Sequence, residues 1–133
     1  MICRDDIRGQ IADALGLGSV PAPQPAWADH VYRCTYTLPM GQLALAVTVA
    51  PSDTAARGDL QVMRGRLTAA FAEDGLGQQG YGSPDGSLVA VKDNMVLQVD
   101  ATGLPDDLGP THQPRIAFAQ LIAAGVFDCW TGP

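Results

Sequence analysis

Apolar residues near the start of the chain recur at the spacing of a helix. They repeat every four residues and predict a helix over residues 4–15. Its apolar face comprises Ile7, Ile11 and Leu15, with Ala14 beside them. Gly16 follows the last of these residues and is suited to a helix end. Residues 19–28 then include three prolines, which predict an extended connection over the surface.

Two alternating stretches follow, and alternation is the pattern of strands with one buried face. The first, residues 31–37, carries Tyr32, Cys34 and Tyr36 on one face and Val31, Arg33, Thr35 and Thr37 on the other. The second, residues 42–50, comes after a predicted turn at residues 38–41. It carries Leu43, Leu45, Val47 and Val49 on one face and Ala44, Ala46, Thr48 and Ala50 on the other. Because the second set is small, we expect a helix or loop to cover this strand on that side too.

A second helix is predicted over residues 54–74, with Ser52 or Asp53 as its N-cap. Its expected buried stripe comprises Leu60, Met63, Leu67, Ala70 and Phe71. Two glycines inside this range each cost about 1 kcal/mol relative to alanine, which predicts bending or close packing. We expect Gly75 to end the helix.

The rest of the chain predicts a hairpin and a final helix. Strands are expected at residues 87–92 and 95–100, joined by a tight turn at Asp93-Asn94, with a weaker strand at residues 78–82 before them. A helix is predicted over residues 114–128. Its apolar face comprises Phe118, Leu121, Ile122, Gly125 and Cys129.

The elements therefore follow in the order α-β-β-α-β-β-β-α. This order predicts an α+β fold with an antiparallel or mixed sheet of 4–5 strands and three helices. A length of 133 residues fits one domain, so we expect a single domain over residues 1–133.

Composition and charge exclude several functional classes. Hydrophobic residues make up 47% of the chain and charged residues 17%, which excludes a disordered protein. The net charge is −6 and no basic stripe exists, so nucleic acid is not an expected partner. The acidic balance also argues against docking on an anionic membrane. No segment reaches the roughly 18–20 apolar residues of a membrane span. The first residues lack the features of a signal peptide, and we expect any signal or anchor to have been removed.

One motif matches a cofactor pattern by letter but not by context, and one serine fails the pattern of a catalytic nucleophile. Residues 75–80 read G-x-G-x-x-G, but they are expected to follow a helix and precede a strand. The dinucleotide fingerprint needs the opposite order. Ser83 lacks the flanking glycines of a nucleophile elbow, and the surrounding residues predict a turn.

Carboxylates and histidines cluster at two places in the sequence, Asp29 with His30 beside Trp27, and Asp106 and Asp107 with His112. Two ligand types per cluster are too few to predict a metal site, and the cysteines match no zinc pattern. We therefore predict no metal, no cofactor and no catalytic residue.

Four short phrases resemble a known group of proteins. They are Val31-Tyr32-Arg33-Cys34-Thr35-Tyr36, Lys92-Asp93-Asn94 through Val99-Asp100, Gly103-Leu104-Pro105, and Cys129-Trp130-Thr131-Gly132. From about Cys3 to Gly132 the chain resembles uncharacterised actinobacterial proteins in which an N-terminal anchor or lipoprotein signal precedes one extracytoplasmic domain. The element order also resembles the Mog1/PsbP-like α/β sandwich. The resemblance implies a secreted or cell-envelope location and binding of proteins or small ligands.

All three cysteines are predicted to face the core. Either they are three buried free thiols, or one disulfide forms and leaves one odd thiol. The resemblance to extracytoplasmic proteins favours the second alternative. We favour a pair of Cys34 with Cys129, which would tie the first predicted strand to the last helix, over a pair of Cys3 with Cys34. A catalytic thiol needs a nearby histidine, and nothing in the sequence places His30 or His112 there.

The sequence supports three functional hypotheses. The first is a non-enzymatic extracytoplasmic binding or sensor-like domain for a protein or small molecule, touching a membrane only through an anchor absent from this chain. The second is an interaction or inhibitor module acting through an exposed aromatic face. The third is a small hydrolase whose site forms only in three dimensions. Trp27, Tyr81 and Trp130 are the candidate binding residues.

Overall fold

The computed structural model describes residues 5–130 of the chain, and side chains over residues 6–128. The described part contains three helices and seven strands. The helices are α1 (Asp5–Leu15), α2 (Asp53–Arg64) and α3 (Arg115–Trp130). The strands are β1 (Gln24–Ala28), β2 (Val31–Leu38), β3 (Gly41–Val49), β4 (Phe71–Ala72), β5 (Gln79–Gly82), β6 (Ser87–Lys92) and β7 (Met95–Asp100). The α+β class and the three helices are confirmed, whereas the predicted 4–5 strands were too few.

The seven strands form one sheet in the order β1-β2-β3-β7-β6-β5-β4, and every pairing is antiparallel. β3 and β7 pair at its centre and join the two halves of the chain. α1 and α3 pack on one face, over a core that includes Ile7, Ile11, Cys34, Tyr36, Leu45, Leu97, Phe118 and Ile122. α2 packs on the other face, where Ala56 and Leu60 meet Val89, Val91 and Val96. The sheet is therefore covered on both sides, but unequally.

Two strands were missed in the sequence. Residues 24–28 form β1, where a loop was expected. All five residues are exposed, so the sequence has no alternation of buried and exposed positions from which to predict the strand. β1 pairs only with β2, and a proline such as Pro25 is tolerated on an edge strand. Phe71 and Ala72 form the short edge strand β4, which pairs with Gly82 and Tyr81 of β5.

The second helix is shorter than expected. The Ser52 hydroxyl caps it by accepting a hydrogen bond from the Ala55 amide at 3.1 Å, as predicted for one of the two candidates. The helix ends at Arg64, before Gly65, instead of running to residue 74. The chain then turns through Ala69, whose φ is +52°, and enters β4. Phe71 is consequently 38% exposed on an edge strand and does not belong to the buried stripe.

The remaining elements lie close to their predicted bounds. β6 and β7 begin and end at the expected residues, and Asp93 in their turn has φ +56°. α1 buries its predicted face, and α3 begins directly after Pro114. Leu121 of α3 is an exception to the predicted apolar face, because it is 46% exposed.

The turn between β2 and β3 is fixed by a backbone contact. Gly41 has φ +147°, and a β-carbon at this position would overlap the carbonyl oxygen of Gly103. In the other direction, a β-carbon on Gly103 would lie 2.9 Å from the carbonyl oxygen of Gln42. The β2–β3 turn and the segment after β7 therefore meet main chain against main chain.

Candidate functional site

The sheet face under α2 is covered over only part of its area. α2 makes its main contacts with β6 and β7, whereas Ala26, Arg33 and Thr37 on the β1–β2 side of this face are exposed. On β3, Ala46 is buried while Ala44 and Thr48 are half-buried. The expectation that β3 is covered on both sides therefore holds at Ala46 and not along the whole strand.

A groove runs between α2 and this open part of the sheet, and we call it the α2 groove. It consists of two adjoining hollows with volumes of about 230 and 340 Å³ that share Arg33, Met63, Arg66 and Gln98. The first hollow extends to Ala44, Ala46, Leu67, Ser87 and Asp100, and the second to Val31, Thr48, Asp59 and Val62. The combined size is that of a ligand site, and both hollows are open to solvent.

Strand register sets the polar groups of the α2 groove in a row across the sheet. Arg33 of β2 lies opposite Ala46 of β3, and Ala46 lies opposite Gln98 of β7. Opposite residues on neighbouring antiparallel strands are about 4.5–5.5 Å apart. Ala46 therefore forms a small apolar floor between a guanidinium on one side and a carboxamide on the other.

The two arginines of the α2 groove have no ion pair and no hydrogen bond to any residue within 6–128. Arg33 and Arg66 are both exposed, and Arg66 follows the end of α2. Three other arginines are engaged within the fold. Arg8 donates to the Val20 carbonyl at 2.7 Å, Arg64 lies 4.8 Å from the centre of the Tyr81 ring, and Arg115 donates to the Leu104 carbonyl at 3.0 Å. Arg33 and Arg66 are thus available to a ligand, and they border the same groove.

Two carboxylates also line the α2 groove, one in each hollow. Asp100 accepts hydrogen bonds from the Thr102 amide at 2.9 Å and the Thr102 hydroxyl at 2.6 Å. Asp59 lies on α2, in the second hollow. The site consequently offers hydrogen-bond donors and acceptors together rather than a purely cationic surface.

The structure does not bring the predicted aromatic residues together. Trp27 lies on β1, is 59% exposed, and has its ring centre 6.3 Å from that of Tyr32. Tyr81 lies on β5, five strands away, and the strand register places it on the opposite face of the sheet. The side chain of Trp130 lies outside the described residues.

Tyr81 is held by its neighbours on the α2 face. Hydrogen bonds from Gln61 and Gln79, together with the Arg64 guanidinium, keep the pKa of Tyr81 below its ordinary value. The Gln79 amide donates to the Tyr81 hydroxyl at 2.7 Å. These contacts give the ring a fixed place beside α2, away from the α2 groove.

The glycine motif and Ser83 have structural roles. Residues 75–80 run from the β4–β5 connection into β5, with positive φ at Gly75 and Gly77, so no helix follows the motif as a phosphate site would need. The prediction that a helix precedes them was wrong, because α2 ends earlier. The Ser83 side chain is fully buried and its hydroxyl donates to the Thr68 carbonyl at 2.5 Å. That bond joins the β5–β6 turn to the segment after α2.

The histidine clusters lie at the surface. His112 Nδ1 is 2.8 Å from Asp107 Oδ1, and both side chains are largely exposed. Asp106 instead accepts a hydrogen bond from the Arg115 amide at the start of α3. His30 lies in the β1–β2 turn beside Asp29, and both have positive φ. Among the described residues, no three His, Cys, Asp or Glu side chains lie close enough to hold a metal ion.

Cys34 is fully buried beneath α1 and α3, and its sulfur is disulfide-bonded. The cysteine that it joins lies outside the residues whose side chains are described. The pairing of Cys34 with Cys129 therefore stays a prediction.

Sequence reasoning did not identify the α2 groove. Its one available signal was Arg33, a charged residue placed on the face of its strand opposite the core residues. Arg66 was expected inside a longer helix, and Gln98 carried no motif. These residues become a site only through the strand register and the early end of α2.

Comparison with known proteins adds no family to this geometry. No protein family, no curated protein and no solved structure matches this chain.

Over the described residues, no helix has both the length and the apolar character that crossing a membrane requires.

Proposed function

We propose that this chain is a non-enzymatic extracytoplasmic binding domain and that the α2 groove is its binding face. The observation that carries the proposal is the pair of exposed, unpartnered arginines, Arg33 and Arg66, at one ligand-sized groove. Exposed cations that the fold does not use, set beside an apolar floor and a carboxamide, are what recognition of a polar ligand requires.

The disulfide at Cys34 supports the extracytoplasmic part of the proposal. Disulfides persist in oxidising compartments and are rare in reducing ones. The resemblance to anchored or lipoprotein-type proteins points the same way. A protein isolated from its native source with Cys34 reduced and alkylatable would contradict this location.

The contacts that Ser83 and His112 make within the fold support a binding role rather than a hydrolase. Ser83 is buried and bonded to a backbone carbonyl, and His112 pairs with Asp107 at the surface. The α2 groove itself is lined by arginines, carboxylates, an amide and small apolar groups. Such groups position a ligand, whereas hydrolysis needs an activated nucleophile within reach of a base.

A fragment screen by NMR tests whether the α2 groove binds ligands. Isotope-labelled protein is mixed with a general library of small fragments, and shifts of the backbone amides are followed. We expect the shifts to concentrate on Ala44, Ala46 and Gln98. The double variant Ala44→Phe/Thr48→Phe, which narrows both hollows, should abolish them, whereas Thr37→Phe, on the same sheet face outside the α2 groove, should not. Shifts that survive the double variant, or that map elsewhere, would remove the α2 groove as the binding face.

A second candidate function, an interaction module acting through an exposed aromatic face, rests on Trp27. Its ring is 59% exposed on an edge strand and lies beside Tyr32. The indole resonance assigned through Trp27→Phe reports on this surface in the same screen. If that resonance responds to fragments and the α2 groove does not, the second candidate replaces the first.

A further inference from the structure

Resting on the binding role proposed above, we infer that the α2 groove takes an extended peptide segment that presents a carboxylate to Arg33 and Arg66. The ligand class follows from the charge, the shape and the hydrogen-bonding groups of the α2 groove, taken in turn.

The two unpartnered arginines of the α2 groove favour an acidic group on the ligand. The chain carries a net charge of −6, so two free guanidinium groups at one groove stand out from the rest of the molecule. A guanidinium presents a planar fork of N–H donors that matches a carboxylate with two parallel hydrogen bonds. Arg33 on β2 and Arg66 beyond α2 stand on separate elements that border the same two hollows, so both can address one ligand.

The shape of the α2 groove favours an extended chain. Thr48, Ala46 and Ala44 are successive residues of β3 on this face, spaced two apart. At about 3.4 Å per residue they span roughly 13–14 Å, the length of about four residues of extended peptide. Alanines along this line leave room for a backbone to approach the sheet closely. Both hollows open to solvent, so a longer segment can continue past either end.

The mixture of polar groups favours a peptide over a small anion or a polyanion. Asp59 and Asp100 would repel a ligand that carries negative charge along its whole length. A peptide main chain offers one N–H donor and one carbonyl acceptor at each residue. The carboxylates can accept from its N–H groups and the Gln98 amide can bond either group, while one acidic side chain or terminus reaches the arginines.

Selection from a phage-displayed library of random octapeptides tests the inference. The folded wild-type protein is the bait, and selected peptides are then made synthetically and measured by fluorescence anisotropy. We expect peptides enriched in Asp or Glu that bind the wild type. The double variant Arg33→Ala/Arg66→Ala should weaken their binding at least tenfold. Arg57→Ala, which removes an exposed arginine on α2 outside the α2 groove, should leave binding within twofold.

Three outcomes would overturn the inference: no enrichment above the level seen on the double variant, selected peptides without acidic residues, or binding that Arg33→Ala/Arg66→Ala does not change. Acetate and inorganic phosphate are titrated alone as further probes. Either anion binding at the α2 groove as tightly as the peptides would make the ligand a small anion. If fragments bind the α2 groove but peptides do not, the peptide inference fails and the binding function stands. If neither fragments nor peptides bind there, the proposed function fails as well.

Discussion

Gln10 of α1 packs its side-chain amide against the α-carbon of Gly125 in α3. A β-carbon on residue 125 would overlap that amide, and Gln10 Oε1 is buried without a hydrogen-bond partner among the described residues. The absence of a side chain at residue 125 therefore sets how closely α1 approaches α3 over the core.

Replacing that glycine should loosen the contact between α1 and α3. We expect Gly125→Val to lower the free energy of unfolding by about 1 kcal/mol, because the Gln10 amide must leave its place against α3 to make room for the added methyl groups. Urea unfolding followed by circular dichroism measures the change. Adding Gln10→Ala should recover part of the loss. Gly9→Ala, where an added β-carbon meets nothing within 4 Å, should be neutral or stabilising. Equal destabilisation by both glycine substitutions would contradict the packing argument.

Arg115 should matter for stability. Its guanidinium donates to the carbonyls of Thr102 at 3.3 Å and Leu104 at 3.0 Å, tying α3 to the segment after β7. We expect Arg115→Met to cost about 1 kcal/mol of unfolding free energy, since it removes two hydrogen bonds to carbonyls, of which one is half-buried. Lysine should restore part of the loss, because both bonds come from one nitrogen, Nη1, and a single ammonium can donate to two carbonyls. Arg57→Met, at an exposed position of α2, is the control and should stay within about 0.5 kcal/mol. The thermal midpoint of each variant checks the order.

The protein should lose stability in alkali through Tyr36. Burial in the core raises the pKa of Tyr36 from 10 to about 12. A folded pKa above the unfolded value means that the stabilising difference is complete below about pH 10 and falls as the pH rises toward 12. Unfolding free energies measured across this range should therefore decline. In Tyr36→Phe the decline should be shallower. A tyrosine absorbance titration in which every phenol ionises near pH 10 would contradict the argument.

The disulfide of Cys34 should join it to Cys129. Non-reducing peptide mapping of the full chain is expected to give that linked pair and to leave Cys3 open to alkylation. In the chain-entropy model the closed loop contributes about 4–5 kcal/mol, so Cys129→Ser should lower the thermal midpoint strongly. Cys3→Ser is the matched control and should have little effect. A linked peptide containing Cys3 and Cys34 would show the alternative pairing.

The sequence was most informative where local patterns and tertiary burial agree. Two apolar stretches on either side of an Asp-Asn turn predicted β6 and β7 to the residue. The four-residue spacing of Ile7, Ile11 and Leu15 predicted the buried face of α1. In α1 one side faces the core, so burial follows the four-residue spacing, whereas β6 is apolar throughout its interior because both of its faces are covered.

Sequence patterns failed where pairing rather than burial makes the structure. β1 is wholly exposed and exists because β2 offers it an edge. The apolar residues after Gly65 continued the helical spacing, but Phe71 joined the edge of the sheet instead. The α2 groove was missed for the same reason, because a helix that ran to residue 74 would have placed Arg66 in its interior. No local pattern reports a register that sets Arg33 and Gln98 in one row.

The contact of Gly41 with Gly103 constrains how these two positions can evolve. Each glycine is held close to the main chain of the other segment, and a backbone carbonyl cannot be trimmed by a second substitution. A defect introduced at either site thus has no suppressor at the other, unlike the clash at residue 125, which a smaller neighbour can relieve. Revertants recovered from a Gly41 or Gly103 variant should therefore return to glycine itself rather than acquire a compensating change.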